Sequence, residues 1–220
     1  MGGWSPVCGE GRIAALLETG TVGAVRDLFP YGVRILCPIT LRTGRDVAGW
    51  SSWREVAERV GAQYPPRRGL TSMIDSAGTP ELPIGVDRLV GCSAGPAIEI
   101  AQRYCRIASV QQWRAAIWTV WGDPIGTPDA ARIITIVDDS DYGSTYDYQL
   151  VSASTAALLD PFLHPEPSFL WSDDDETLFL EVQPETGWIE VYSTRPDLIE
   201  EVRSDTQWEV VPLTRDLPQS

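Results

Sequence analysis

WRAAIWTVWG, residues 113 to 122, is the stretch from which the rest of the chain is best read. Trp113, Trp118 and Trp121 are interleaved with Ala, Ile and Val, between Gln111-Gln112 and the Gly122-Asp123-Pro124 turn. That length, aromatic content and punctuation suit a largely buried β-strand better than a surface helix. The same stretch divides the charge. Through Val120 there are 13 Arg against 10 acidic residues; from Trp121 onward there are 4 Arg against 21, a formal charge of −17.

On the C-terminal side, Ile133 to Val137 and Tyr146 to Val151 read as strands joined by a polar turn. Ser154 is placed to cap a helix through Leu159, which Pro161 and Pro165 end, and Phe169 to Trp171 is a third strand. The order then recurs: strand Leu178–Val182, turn, strand Trp188–Tyr192, helix Asp197–Arg203, strand Trp208–Leu213. Val151-Ser152 and Leu158-Leu159 match Val191-Tyr192 and Leu198-Ile199 at an offset of 40 residues. Two ββαβ units would account for this, and so would chance similarity between short amphipathic segments.

On the N-terminal side, Arg12 to Glu18 has helical spacing with Gly20 as its stop, and Thr21 opens a second short helix ended by Pro30. Val33, Ile35 and Cys37 alternate along a strand closed by Pro38, and the polar, Gly-containing stretch from Thr40 to Gly49 reads as a loop. Ser52-x-x-Glu55 is a capping box, opening a helix with Trp53, Val56, Ala57 and Val60 on one face and Gly61 at its end. Gln63 to Gly85 reads as a long loop, and Pro96 as the first turn of a helix to about Ile107. The expected fold is α+β. A helix-rich, charge-balanced part (1–112) packs on a mixed or antiparallel sheet, and an acidic, sheet-rich part (113–220) completes it, the two being compatible with one compact domain.

A chain of 220 residues with 43% hydrophobic residues and nine Trp can bury a sizeable core. A net charge of −14 disfavours nucleic acid and favours a basic protein partner, although acidity also serves plain solubility. All 17 cationic residues are Arg. The four Cys show no CxxC spacing and there is one His, so an ordinary zinc site is not expected. No stretch is long and apolar enough to span a membrane as a helix, and MGGWSPVCGEG has no signal-peptide pattern; a reducing cytoplasm with free thiols is the expected setting.

FPYGVRILCPI followed by WSSWREVAERVG resembles the N-terminal portion of a set of uncharacterised actinobacterial proteins. These have an Arg-containing strand ending in Pro, then a Trp-led helix. WRAAIWTVWG is similar to their aromatic strand, and PSFLWSDDDETLFLEVQPETGWIEVYSTRPDLIEEVRSDTQWEVVPL to their closing strand–turn–strand–helix–strand block. These segments cover about half the chain. The resemblance implies a fold and a bacterial cytoplasmic origin. Its motifs are apolar and structural, so it carries over no catalytic residue and no cofactor.

Three constellations invite a chemical reading. Gly91-Cys92-Ser93-Ala94-Gly95 satisfies G-x-S-x-G, and Ser93, His164 and Asp160 would form a triad; Cys92 is an alternative nucleophile. The chain is short for an α/β-hydrolase and lacks its βαβ alternation, so a small-residue turn opening a helix fits better. Asp138, Asp139 and Asp141 match neither a calcium loop nor a phosphatase pattern and suit a solvated hairpin turn. Asp173, Asp174, Asp175 and Glu176 are a four-acid block that Glu181, Glu185, Glu190, Glu200, Glu201, Asp205 and Glu209 could extend into a negative face. On the strand Trp188–Tyr192, Trp188, Glu190 and Tyr192 share one side. If that side is outward, it puts two aromatics beside a carboxylate, the make-up of an interface patch. With no convincing catalytic set, the leading expectation is an acidic inhibitor such as an immunity protein, bound to a basic toxin or effector. A small serine or cysteine hydrolase and an assembly subunit are the alternatives.

Overall fold

The structure is a computed structural model that describes residues 4–7, 11–64, 88–90, 103–105, 107–119, 131–138, 144–158, 167–172, 176–183, 187–205 and 207–213. In order, the strands are β1 (Ser5–Pro6), β2 (Tyr31–Leu36), β3 (Ile39–Thr43), β4 (Asp46–Ser51), β5 (Arg88–Val90) and β6 (Gln112–Trp118). They continue with β7 (Arg132–Asp138), β8 (Ser144–Ser154), β9 (Phe169–Ser172), β10 (Leu178–Gln183), β11 (Trp188–Ser193) and β12 (Glu209–Pro212). The helices are α1 (Arg12–Thr19), α2 (Val22–Arg26), α3 (Trp53–Val60), α4 (Thr155–Leu158) and α5 (Pro196–Ser204). Residues 103–105 are also helical.

The architecture is α+β and more sheet-dominated than the sequence suggests. A large antiparallel sheet runs β1-β8-β6-β9-β10-β11-β2-β12, with β7 also paired to β8. The chain order β7-β8-α4-β9 and then β10-β11-α5-β12 repeats strand–strand–helix–strand. In neither block does the last strand lie against the second. β6 is inserted between β8 and β9, and β2 between β11 and β12. Each block thus borrows one antiparallel strand from earlier in the chain, and β1 and β2 tie the charge-balanced portion into the sheet of the acidic one.

Side chains alternate across this sheet and both faces are covered. One face carries Val33, Ile35, Ile189 and Val191 beneath Leu198, Ile199 and Val202 of α5, in a cluster that runs on through Leu180, Ala115 and Trp113. The other carries Phe169, Trp171, Phe179 and Tyr192 beneath Ile13, Leu17, Val22 and Val25 of α1 and α2. Further along that second face, Leu36 and Trp188 lie under Trp53, Val56 and Ala57 of α3. The first six residues of WRAAIWTVWG, Trp113 to Trp118, accordingly belong to a central strand, with Trp113 fully buried and its Nε1 donating to Thr155 Oγ1 at 2.8 Å.

Thr40 to Gly49, expected as a loop, is not one. It forms most of the β3–β4 hairpin of a separate three-stranded sheet, β4-β3-β5. Its apolar residues are too sparse to betray a strand. Gly44 makes the reversal possible, its φ of +60° lying in the left-handed region that glycine enters without Cβ strain.

α3 forms as its sequence dictates. Ser52 Oγ accepts from Glu55 N, Glu55 Oε2 accepts from Ser52 N at 3.0 Å, and Gly61 closes the helix at φ +67°. Two remaining first-turn donors, Trp53 N and Arg54 N, reach the Glu209 carboxylate of β12 at 2.6 and 3.1 Å. Ser52→Ala should lower the unfolding free energy in urea by about 1 kcal/mol. Hydrogen bonds from the Ser52 backbone N–H and the Ser51 hydroxyl hold the Glu55 carboxyl below its usual range. Because folding depresses that pKa, the contribution is complete above about pH 4.3 and is lost as pH falls through the folded value. The stability deficit of Glu55→Gln should therefore be largest near neutrality and shrink in acid.

Candidate functional site

Between the part of the second face covered by α1 and α2 and the part covered by α3, the large sheet is charged. One row across the strands reads Leu150, Ala116, Phe169, Glu181, Glu190, Arg34, Val211. Glu181 of β10 stands directly opposite Glu190 of β11, and Glu190 directly opposite Arg34 of β2. Like charges facing each other across a ladder repel. The repulsion is offset by Arg26, delivered from the last turn of α2. Its Nη2 lies 2.7 Å from Glu181 Oε2, and its Nε lies 3.9 Å from Glu190 Oε2.

Every carboxylate oxygen of the pair accepts a hydrogen bond. Arg26 Nη2 donates to Glu181 Oε1 at 2.9 Å, and its Nε donates to Oε2 at 3.0 Å. Arg34 donates to Glu190 Oε1 through Nη2 and Nε at 2.5 and 3.0 Å, and the Tyr192 hydroxyl donates to Oε2. The Arg34 guanidinium also lies 4.1 Å from the Trp188 ring centre, a cation–π contact. Burial alone would lower the pKa of Arg26, but the charge of Glu181, with Tyr192 and Glu190 behind it, outweighs that and holds it raised. Burial, then the charge of Glu190, pushes the Tyr192 phenol well up. The cluster is neutral, satisfied, and locked by guanidinium groups that do not deprotonate. It offers no carboxyl free to shuttle a proton; what it does is fasten α2 and β2 to β10 and β11.

This placement corrects the outward patch expected on β11. Trp188, Glu190 and Tyr192 do share a side, but they are 6%, 5% and 7% exposed, because α1, α2 and α3 cover that side as α5 covers the other. Glu176 also serves the fold. Its Oε1 accepts from Ile13 N at 3.2 Å at the start of α1, from a turn in which Glu176 has φ +49°. Glu181, Glu190 and Glu209 are engaged inside the molecule, Asp205 pairs with Arg103 at 2.9 Å, and Glu200 pairs with Arg203 at 2.8 Å. Glu181 and Glu190, being buried, take no part in the negative face expected from these residues, whereas Glu200 and Glu201 are exposed.

Asp138 ends β7, whereas Asp139, Asp141, Asp173, Asp174, Asp175 and Glu185 lie outside the described residues, as do Cys92, Ser93, Asp160 and His164. Among the described residues no group of three His, Cys, Asp or Glu could hold a metal ion. Cys37 and Cys105 are buried free thiols, and burial pushes that of Cys105 up, making it a poor nucleophile.

What the sequence did not signal is where apolar side chains remain at the surface. Trp118 (36% exposed) and Ile133 (57%) lie near the β7 side of the large sheet, and Val47 (50%) and Trp50 (52%) lie on β4. Beyond β8, β7 has as strand contact only a bridge from Thr21 to Val137 among the described residues. Beside Ile133, Thr135 Oγ1 donates to the exposed Asp147 carboxylate at 2.7 Å. No helix of the described residues is long and apolar enough to cross a membrane. No family model, curated protein or solved structure matches the chain.

Removing one partner from the charged row should be costly. Glu190→Ala removes the carboxylate that Arg34 and Tyr192 donate to and is expected to lower stability by about 3–5 kcal/mol, read from chemical denaturation. The double variant Arg34→Leu/Glu190→Leu should lie closer to wild type than either single change.

Proposed function

We propose that the chain is an acidic protein-binding module of the inhibitor type, such as an immunity protein that neutralises a basic toxin or effector domain. The observation that carries this reading is where the charge resides. The buried cluster is neutral, two Arg against two Glu, so the formal charge of −14 belongs to the rest of the chain. From Trp121 onward the described Arg residues are already engaged: Arg132 with Glu18, Arg195 with Asp197, and Arg203 with Glu200. They leave the excess carboxylates uncompensated, and a field of one sign steers a partner of the other.

With Trp188 and Tyr192 buried, the contact surface passes to the β7 edge. There Ile133 supplies apolar area, and Asp147 and Thr135 supply charge and hydrogen-bonding groups. An apolar residue ringed by polar ones is the usual anatomy of such a contact.

The test is the association rate with a basic protein encoded in a neighbouring reading frame. It should fall at least about tenfold between low and physiological salt, and Asp147→Arg should lower it further. A rate indifferent to salt, or no complex with any neighbouring gene product, would end this reading.

A further inference from the structure

The β3–β4 hairpin presents the opposite combination, apolar and basic. Thr40 pairs with Trp50 and Arg42 with Val47, with the register shifting between Leu41 and Arg42. Residues opposite each other in a ladder share a face, as do residues two apart on one strand. Val47 and Trp50, three apart, would point to opposite faces of a regular strand; the bulge brings both onto the face of Arg42. Both are about half exposed. Pairing of β3 with β5 sets Arg88 at the register position beside Arg42. Arg45, in the turn, is exposed, and its carbonyl accepts from Arg42 Nη1 at 3.0 Å. Among the described residues no carboxylate forms an ion pair with Arg42 or Arg45. In a chain with 31 acidic residues against 17 Arg, Val47 and Trp50 thus stand beside two Arg that no described carboxylate pairs with.

The complement is carried by the same chain, on the β7 edge, where exposed Ile133 adjoins the Asp147 carboxylate. We propose that the β3–β4 hairpin of one copy docks on the β7 edge of a second copy, Trp50 and Val47 against Ile133, Arg42 and Arg45 toward Asp147. The two surfaces differ, so the contact is heterologous and passes head to tail from copy to copy. At physiological salt the repulsion between two acidic molecules is screened beyond about 8 Å, while charges in contact still attract. This inference rests on the β7 edge being the docking surface of the reading above. It adds that the hairpin occupies that edge when no basic partner does.

Sedimentation of the intact protein over a concentration series at physiological salt tests it. Wild type should self-associate, and Trp50→Ala and Arg42→Glu should each weaken association at least about tenfold, the loss expected for an interface anchor. Asp147→Arg should do the same from the other side. Because Trp50→Ala retains an intact edge and Asp147→Arg an intact hairpin, their mixture should form a discrete one-to-one dimer although each alone is monomeric. Circular dichroism checks that each variant folds. A wild type that stays monomeric into the millimolar range, association unmoved by these changes, or a mixture that does not pair would overturn the proposal. Trp50→Ala leaves the edge offered to a basic partner untouched. Its binding to that partner therefore reports on the inhibitor reading separately from self-association.

Discussion

Glu181 and Glu190 sit directly opposite each other on neighbouring strands of a sheet covered on both faces, and neither could be buried there alone. Arg26 spans both, and Arg34, one strand further on, takes up the remaining charge of Glu190. Desolvating one carboxylate costs several kcal/mol, so the pairing must be complete for the arrangement to persist. Both guanidinium groups come from the first portion of the chain and both carboxylates from the second. The ion pairs therefore also fix where α2 lies on the sheet and confine β2 to the slot between β11 and β12.

That constraint reaches the rest of the acidic portion. Several carboxylates that look in sequence like one negative surface are spent on internal tasks. Glu176 meets the first turn of α1, Glu209 meets that of α3, and each satisfies backbone donors that a helix leaves unpaired. Such uses draw several of the chain's 31 acidic residues away from any common surface. They also separate total charge, which the composition fixes, from charge pattern, which folding sets.

The exposed apolar groups follow a related logic. The large sheet is covered on both faces, and most of its aromatics are buried there. Among the described residues, the large apolar side chains left at the surface are Ile133 on β7, Trp118 at the end of β6, Tyr31 at the start of β2, and Val47 and Trp50 on the small hairpin sheet. A bulge on the hairpin turns two side chains to one side that regular pleating would have divided.

By itself, the sequence determined the elements whose cause is local. The capping box of α3 and its closing Gly61, the strand around Trp113, and the strand–strand–helix–strand order of the acidic portion all follow from short-range hydrogen bonding, steric freedom and apolar spacing. The β3–β4 hairpin was illegible because its strands bury little, and burial is what writes a period-two pattern. Which side of β11 faces outward lay beyond local reading. Trp188, Glu190 and Tyr192 alternate as an amphipathic strand would, and only helices from more than 100 residues earlier in the chain cover them. The tertiary structure alone decided that Glu190 would meet Arg34, because ion pairs between distant segments depend on strand order, and no residue's own spacing encodes that order.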